Sequence, residues 1–314
     1  MYTKAKPFLL HAITSVHAGS GSEIGIVDLP IQREKHTGYP KVESSSLKGA
    51  IRFQTEGSCT SEQEKKKFEL VFGAKPRTEN DTGDTSNANE TQASAIAFSD
   101  ARILLFPVRS LRGVFTWITC PHVLKRFNDE RKVYANGNVV EELVVPDVSS
   151  DASVYPVSSD HILVGNDKLI LEEYTFHATV DEEAQILARQ ISQMLGDHLS
   201  IDVAQRIAVL SDSDFSDFVK LSTEVNARIK VGDNGTVDSG ALWYEENVPP
   251  EAVFYSFLFI GNVRGKGIDG MQTAADVAQF MVEDENFPAV FQLGGNYTIG
   301  KGMMRRIWLA EDGQ

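Results

Sequence analysis

The sequence predicts an α+β fold, and three observations carry that reading. Short alternating stretches recur from residue 7 to the C-terminal end. Helix-like segments fall between them irregularly, not one per strand as in a doubly wound sheet. Asp233-Asn234-Gly235 supplies hairpin turn chemistry between two alternating arms. The 314 residues suffice for one large domain or two ordinary ones.

The first strand is expected over residues 7–17, where Phe8, Leu10, Ala12, Thr14 and Val16 alternate with His11, Ile13, Ser15 and His17. Ala18-Gly19-Ser20-Gly21-Ser22 is too small and flexible to extend it, and Glu23 to Val42 shows no period. That stretch reads as a long, polar, mobile loop, a length usually reserved for function. Ser44-Ser45-Ser46 suggests serine capping of a helix that begins near Leu47 with basic first turns. A charged helix is expected over 61–72, ending at Gly73. Residues 74–94, rich in Asn, Thr, Asp, Ser and Gly, read as a flexible insertion. Paired strands over 95–120 lead to a helix opened by Pro121. Beyond it we expect strands over 161–180, helices over 181–195 and 201–210, and mostly strand over 215–260. A helix near 273–283 and a glycine-interrupted strand pair close the chain.

Composition narrows the function. Hydrophobic residues are 42% and charged residues 24%, the balance of a water-soluble protein with a sizeable core. No apolar run reaches the roughly 18 residues of a membrane span. Lys4 and Lys6 precede an apolar stretch that His11 breaks, so no signal peptide is read there. Two cysteines exclude a disulfide framework or a cysteine-rich zinc site. A cytoplasmic chain is expected. The net charge of −14 argues against nucleic acid only at first sight, because its sign changes along the chain. Lys and Arg exceed Asp and Glu by three in residues 1–54 and by five in 101–135, and fall short by twelve in 136–220. The acidic stretch is solvated surface, or a device that repels RNA from faces not meant to bind it.

No Walker loop, dinucleotide fingerprint, zinc-protease helix motif or nucleophile elbow is present. Instead a short pattern occurs twice, in Ser46-Leu47-Lys48-Gly49 and Ser110-Leu111-Arg112-Gly113. Glycine beside a cation lets the backbone approach a phosphate while its charge is neutralised. Leu293 to Gly302 holds four glycines and Lys301. It suits either a loop offering N–H groups to an anion or a tightly packed, bulged hairpin. Asp28, with His17 upstream, is either a surface carboxylate or a functional one.

Taken in order, these residues resemble the backbone subunits of type III-B CRISPR–Cas effector complexes, the RAMP proteins that stand fourth in the Cmr series. The likeness spans most of the chain. It is strongest in His17-Ala18-Gly19-Ser20-Gly21 and Val27-Asp28-Leu29-Pro30-Ile31-Gln32-Arg33-Glu34-Lys35-His36-Thr37-Gly38-Tyr39-Pro40. It continues through Ser45 to Arg52, Arg112 to Pro121, Gly240-Ala241-Leu242-Trp243-Tyr244-Glu245-Glu246 and the terminal glycine loop. The Asp28 segment is specific to this subunit, whereas the serine-leucine-basic-glycine pattern is shared more widely. Residues 74–94 carry no motif of the family.

The resemblance implies one RAMP domain over 1–314: an RNA-recognition-motif (ferredoxin-like) palm with insertions and a protruding β-hairpin thumb, for which 221–247 is the candidate. It implies copies stacked head to tail along a CRISPR guide RNA, beside other Cmr-complex subunits and away from membranes. Complementary target RNA is then cut at regular intervals by a metal-dependent endoribonuclease, each thumb splaying one base pair. The 18–44 loop becomes catalytic, with Asp28 the key residue and holder of a weakly bound Mg or Mn ion completed by RNA phosphate. His17 becomes its companion. Lys48 and Arg52, four apart on one helix face, are assigned to guide phosphates, with Lys301, Gly295 and the glycine loop as a second grip. Arg112 is a further RNA candidate. With the helix around Lys125 and Arg126 it is also a candidate for contact with a neighbouring copy. Glu224, Tyr244 and Glu245 are expected to approach the site. Attack by the target 2′-OH would leave a 2′,3′-cyclic phosphate and a 5′-OH. The alternative is a non-catalytic guide-RNA scaffold with an inert Asp28.

Overall fold

Strand β1 (Lys4–Ala12) enters from an exposed end and is buried from Phe8 onward, so the fold is built around it. The computed structural model describes residues 2–309 apart from 23–24, 75–91, 136, 149–152, 157–158, 166, 200 and 284. Most of the predicted 74–94 insertion therefore lies outside the described residues. After β1 come β2 (Lys41–Val42), α1 (Ser44–Ser58), α2 (Glu62–Phe72), β3 (Ile96–Phe98), β4 (Ala101–Ser110), β5 (Val114–Thr119) and α3 (Pro121–Tyr134). The middle of the chain holds β6 (Ser153–Pro156), α4 (Ser159–Ile162), β7 (Leu163–Val164), β8 (Lys168–Leu171), β9 (Tyr174–Ala178), α5 (Glu182–Leu195), β10 (Ile207–Val209) and α6 (Asp212–Leu221). β11 (Glu224–Val231), β12 (Val237–Asn247), β13 (Val253–Ile260), α7 (Ala274–Val282), β14 (Val290–Gln292) and β15 (Met303–Trp308) complete it.

The expected α+β class holds. One long sheet runs β14-β15-β1-β13-β4-β5-β10-β6-β9-β8-β7, with β2 on β4 and β3 on β13. Around β1 every pairing is antiparallel: β15 on one side, β13 on the other, then β3 and β4. Helix α1 lies in the connection from β1 to β3, and α7 in that from β13 to β15. β11 and β12 stand apart as a two-stranded hairpin.

Local chemistry explains most ends. Ser61 and Glu64 form a reciprocal capping box at α2, which stops at Gly73 with φ of 91°. Pro121 occupies the first turn of α3. The serine cap expected at α1 is not made. Glu43 takes the cap position without a side-chain bond, and the Asp100 carboxylate accepts from the Ser44 N–H at 2.9 Å. Two expectations are overturned. Residues 201–210 hold a short 3-10 turn and then β10, whose apolar run is buried on both faces between β5 and β6. A run that short has no period to separate strand from helix. Conversely, the start of the expected 215–260 strand region is helix α6. Ser211 caps it, and Phe215, Phe218 and Val219 recur at helical spacing on its buried side.

Candidate active site

The Asp28 segment does not stand free as a loop, because its backbone finds partners at the foot of the β11–β12 hairpin. Ser20 N–H donates to the Pro30 carbonyl at 3.0 Å and Gln32 N–H to the Ala18 carbonyl at 2.7 Å, closing a narrow antiparallel pair. Buried Ile31 and Tyr39 pin the far arm, Tyr39 edge-on to Phe215 at 5.1 Å. Leu29 then lies parallel to Glu245. Asp28 and Leu29 N–H both donate to the Tyr244 carbonyl at 3.1 Å, and Tyr244 N–H returns a 2.7 Å bond to Asp28 Oδ2. The catalytic candidate is thereby held by main chain, with Ile26 fully exposed beside it.

His17 reaches the same strand. Its Nδ1 lies 2.7 Å from the Glu246 carbonyl, and its own carbonyl accepts from Gly295 N–H at 2.9 Å. Gly294 has φ of 84°, and a Cβ there would collide with the His17 carbonyl oxygen. Of the two readings of the glycine loop, close packing is the one observed, and the Gly295 N–H is committed to His17.

Between these groups lies Glu245, 4% exposed. Asn296 Nδ2 donates to its Oε1 at 2.7 Å, with Arg228 at 3.5 Å and Lys301 at 3.7 Å. Burial opposes its charge. The Asn296 hydrogen bond and the neighbouring His17 ring, Arg228 and Lys301 outweigh that and hold its carboxyl below the ordinary value. Lys301 Nζ is buried and makes no hydrogen bond among the described residues, leaving the 3.7 Å ion pair with Glu245 as its tie to the site.

The structure therefore gathers His17, Asp28, Tyr244, Glu245, Gly295 and Lys301. It does not bring the other candidates there. Lys48 Nζ donates to Ser94 Oγ at 2.7 Å and to the Ile96 carbonyl at 3.1 Å, and burial, then the Arg52 charge, lowers its pKa. Arg52 closes the end of α2 on the Phe72 and Gly73 carbonyls and stacks over Phe68. Exposed Arg112 donates to the Leu163 carbonyl at 2.8 Å. Arg126 grips both oxygens of Glu34 at 2.8 and 2.9 Å, whereas Lys125 is exposed. Glu224 pairs opposite Asn247 and lines a separate groove with Glu172, Tyr174 and Phe218. Arg228, Asn296, Arg33 and Glu246 were missed. Asn296, with φ of 64°, had one available signal, since asparagine tolerates the left-handed turn that a loop of this kind needs.

Comparison with known proteins adds the following. The RAMP superfamily model matches residues 9–305. The chain is 36% identical over 299 residues to the CRISPR system Cmr endoribonuclease Cmr4 of Pyrococcus furiosus, covering 94% of this chain and 92% of that one. The crystal structure of oligomeric Cmr4 from the same organism superposes with a TM-score of 0.68 at 28% identity, covering 98% of each chain. A chain in the cryo-EM structure of type III-B Cmr-beta bound to cognate target RNA gives 0.69 at 25% identity, again over 98% of each.

Proposed function

Because the chain belongs to the RAMP superfamily and is similar along nearly its whole length to Cmr4 proteins, we propose that it is a guide-RNA-binding backbone subunit of a type III-B CRISPR effector complex that cleaves complementary target RNA. Its partners are the guide RNA, the target RNA, further copies of itself stacked head to tail and other Cmr-complex subunits. Nearest support for the stacking is the oligomeric relative. No described helix is long and apolar enough to cross a membrane. The single observation that carries the nuclease reading is the seating of Asp28 on the foot of a projecting hairpin, on the same strand that orients His17.

The finer architecture belongs to the same proposal. The order β15-β1-β13-β4, with a helix in each of the two split connections, supports a ferredoxin-like palm. The hairpin is the thumb. Val225, Ile229, Leu242 and Tyr244 are 41–55% exposed on it, and Ala227 pairs with Tyr244 and Ile229 with Leu242. An apolar wedge of that kind fits between stacked bases better than it fits water. Splaying the target at the wedge frees the 2′-OH to align with its own phosphorus, a geometry that regular A-form RNA denies. The 2′-oxygen attacks, the bond from phosphorus to the 5′-oxygen breaks, and a 2′,3′-cyclic phosphate and a 5′-OH result. Asp28 polarises the 2′-OH, His17 takes the 2′-OH proton at Nε2 and passes it to the departing 5′-oxygen, and Lys301 offsets charge on the transition state. Lys48, Arg52 and Arg112 are the proposed guide contacts, their partners within the chain exchanged for phosphates when the guide binds.

The Mg or Mn ion is also proposed. Among the described residues no three metal-capable side chains gather, so the chain offers no cage. Asp28 would be the one protein ligand, with RNA phosphates and water as the others, and the ion would supply charge neutralisation at the phosphate.

The test is cleavage of end-labelled complementary RNA by the guide-loaded complex, wild type against Asp28→Ala, with Mg²⁺, Mn²⁺ or EDTA. Loss of the regular ladder with target binding retained is expected. An unchanged ladder would make the chain a scaffold and move the nuclease elsewhere in the complex.

A further inference from the structure

The contact between the Asp28 segment and β12 is a parallel ladder with one rung out of place. Leu29 sits opposite Glu245: its N–H donates to the Tyr244 carbonyl at 3.1 Å, and its carbonyl accepts from the Glu246 N–H at 3.0 Å. In a parallel ladder the next rung runs from the Ile31 N–H to the Glu246 carbonyl. Here that carbonyl accepts from His17 Nδ1 at 2.7 Å, and the Ile31 N–H goes to the Glu246 side chain, Oε2, at 3.0 Å.

We propose that Glu246 is the positioning residue of the site: its carboxylate substitutes for the missing rung, so that its main-chain carbonyl is left to orient His17. The inference rests on the nuclease reading only for its catalytic consequence. Two further contacts keep the carboxylate from swinging away. Arg33 donates to Oε1 at 2.5 Å and Thr223 Oγ1 to the same oxygen at 2.8 Å. The other guanidinium nitrogen of Arg33 reaches the Gly38 and Val219 carbonyls at 2.8 and 2.9 Å. Glu246 is 6% exposed, so water does not compete for these bonds. One residue thus sets both halves of the site. Its carboxylate holds the strand register that seats Asp28, and its carbonyl selects the tautomer of His17. A carbonyl only accepts, so Nδ1 carries the proton and Nε2 is the nitrogen presented outward, beside Gly19, where a Cβ would lie 2.7 Å from it.

The substitution that isolates this role is Glu246→Ala. With the carboxylate gone, the Ile31 N–H takes the carbonyl in the ordinary rung and His17 loses its partner. Glu246→Gln keeps an acceptor for Ile31 but not the charge facing Arg33, and should rescue. Two readouts decide. In full-length chain labelled with ¹⁵N-histidine, with His17 assigned by its absence in His17→Gln, the ring nitrogens should show the Nδ1–H form in wild type and Glu246→Gln. In Glu246→Ala they should shift to a mixture of tautomers. In the guide-loaded complex under saturating single-turnover conditions, Glu246→Ala should cleave about a hundredfold more slowly, with target binding unchanged, and Glu246→Gln should stay within about threefold of wild type. An unshifted His17 in Glu246→Ala would overturn the inference. So would equal losses in Ala and Gln variants, which would assign the effect to the Arg33 ion pair. If Glu246→Ala fails to fold, Arg33→Met joins Glu246→Gln as the second variant. Both must keep the His17 tautomer, and a shift in either overturns the inference. Cleavage that survives Asp28→Ala would defeat the nuclease reading, while the ¹⁵N result would still decide the role of Glu246.

Discussion

Replacing Glu34 with alanine tests what keeps the Asp28 segment in place. Its carboxylate, 7% exposed, accepts from Arg126 at 2.8 and 2.9 Å and from Thr37 at 2.7 Å, with Arg102 at 3.2 Å. Removing it leaves a buried guanidinium without its counter-charge, while Arg102 keeps Glu130. Breaking such a pair costs about 3 kcal/mol, the low end of the usual range because one of the two arginines stays paired. For a chain of this size that is about 6 °C in the thermal midpoint at pH 7. The pH dependence identifies the cause. Burial raises the Glu34 pKa, but the Thr37 and Arg126 hydrogen bonds and the two arginine charges outweigh it and leave the value lowered. A carboxyl with a depressed folded value contributes stability that is complete above its unfolded pKa and vanishes as pH falls through the folded one. The gap between wild type and Glu34→Ala should therefore close below about pH 4. Glu130, raised chiefly by burial, has the opposite dependence; it is present in both proteins, and only the smaller share of its shift that comes from the Glu34 charge differs between them. Midpoints from circular dichroism at pH 7, 5 and 3.5 measure this. A gap that stays constant with pH, or is under about 1 °C at pH 7, would refute the ion-pair reasoning.

Gly294→Ala should cost about 2 kcal/mol and slow target cleavage, because it combines a left-handed backbone with a collision against the His17 carbonyl. Gly295→Ala, whose Cβ would meet only the His17 ring edge at 3.3 Å, should cost less, and thermal midpoints with cleavage rates will rank the two. Burial pushes the Cys120 thiol up to about 12, so folded protein at pH 8 should be alkylated at partly buried Cys59 first and at Cys120 only on unfolding, as peptide mass mapping would read.

The elements that could be read from sequence are those with local punctuation. Ser61 with Glu64, Pro121 and Asp233-Asn234-Gly235 mark boundaries wherever the chain goes. β10 could not be read in that way, and α6 was missed although Ser211 and Asp214 mark its start. The type of β10 is set by its neighbours β5 and β6, and the helical spacing of Phe215, Phe218 and Val219 runs straight on into the alternation of β11. The site divides along the same line. His17 and Asp28 were legible through motif resemblance, because their immediate surroundings carry the pattern. Glu246 was not, since it meets Ile31 across 215 residues and nothing near it in sequence announces the contact. The glycine loop was legible as a constraint but not as to its kind, because a close approach to backbone and a close approach to phosphate ask for the same residue.

Charge was the least transferable reading, and the reason bears on how RNA is held. The block over 101–135 is basic as counted, yet most of its cations, the exposed Lys125 apart, have partners within the chain. Arg102 and Arg126 serve Glu34, Arg109 pairs with Glu172, Arg112 donates to Leu163 and Lys132 pairs with Glu142. In the first block Arg33 binds Glu246, Lys41 binds Glu43 and Asp100, and Arg52 closes α2. These residues cross-link an acidic chain to itself. Near Asp28 the proposed RNA path meets the exposed apolar side chains of the hairpin, while the buried Lys301 ammonium lies 3.7 Å from Glu245. With so few unpaired cations near Asp28, a single subunit of the proposed complex would hold RNA weakly there, and affinity would come from repetition. In the proposed assembly, copies stacked on one guide would convert many weak contacts into an effectively intramolecular series. That division of labour would leave each subunit free to use the proposed catalytic groups, Asp28 and His17, on geometry at one phosphate.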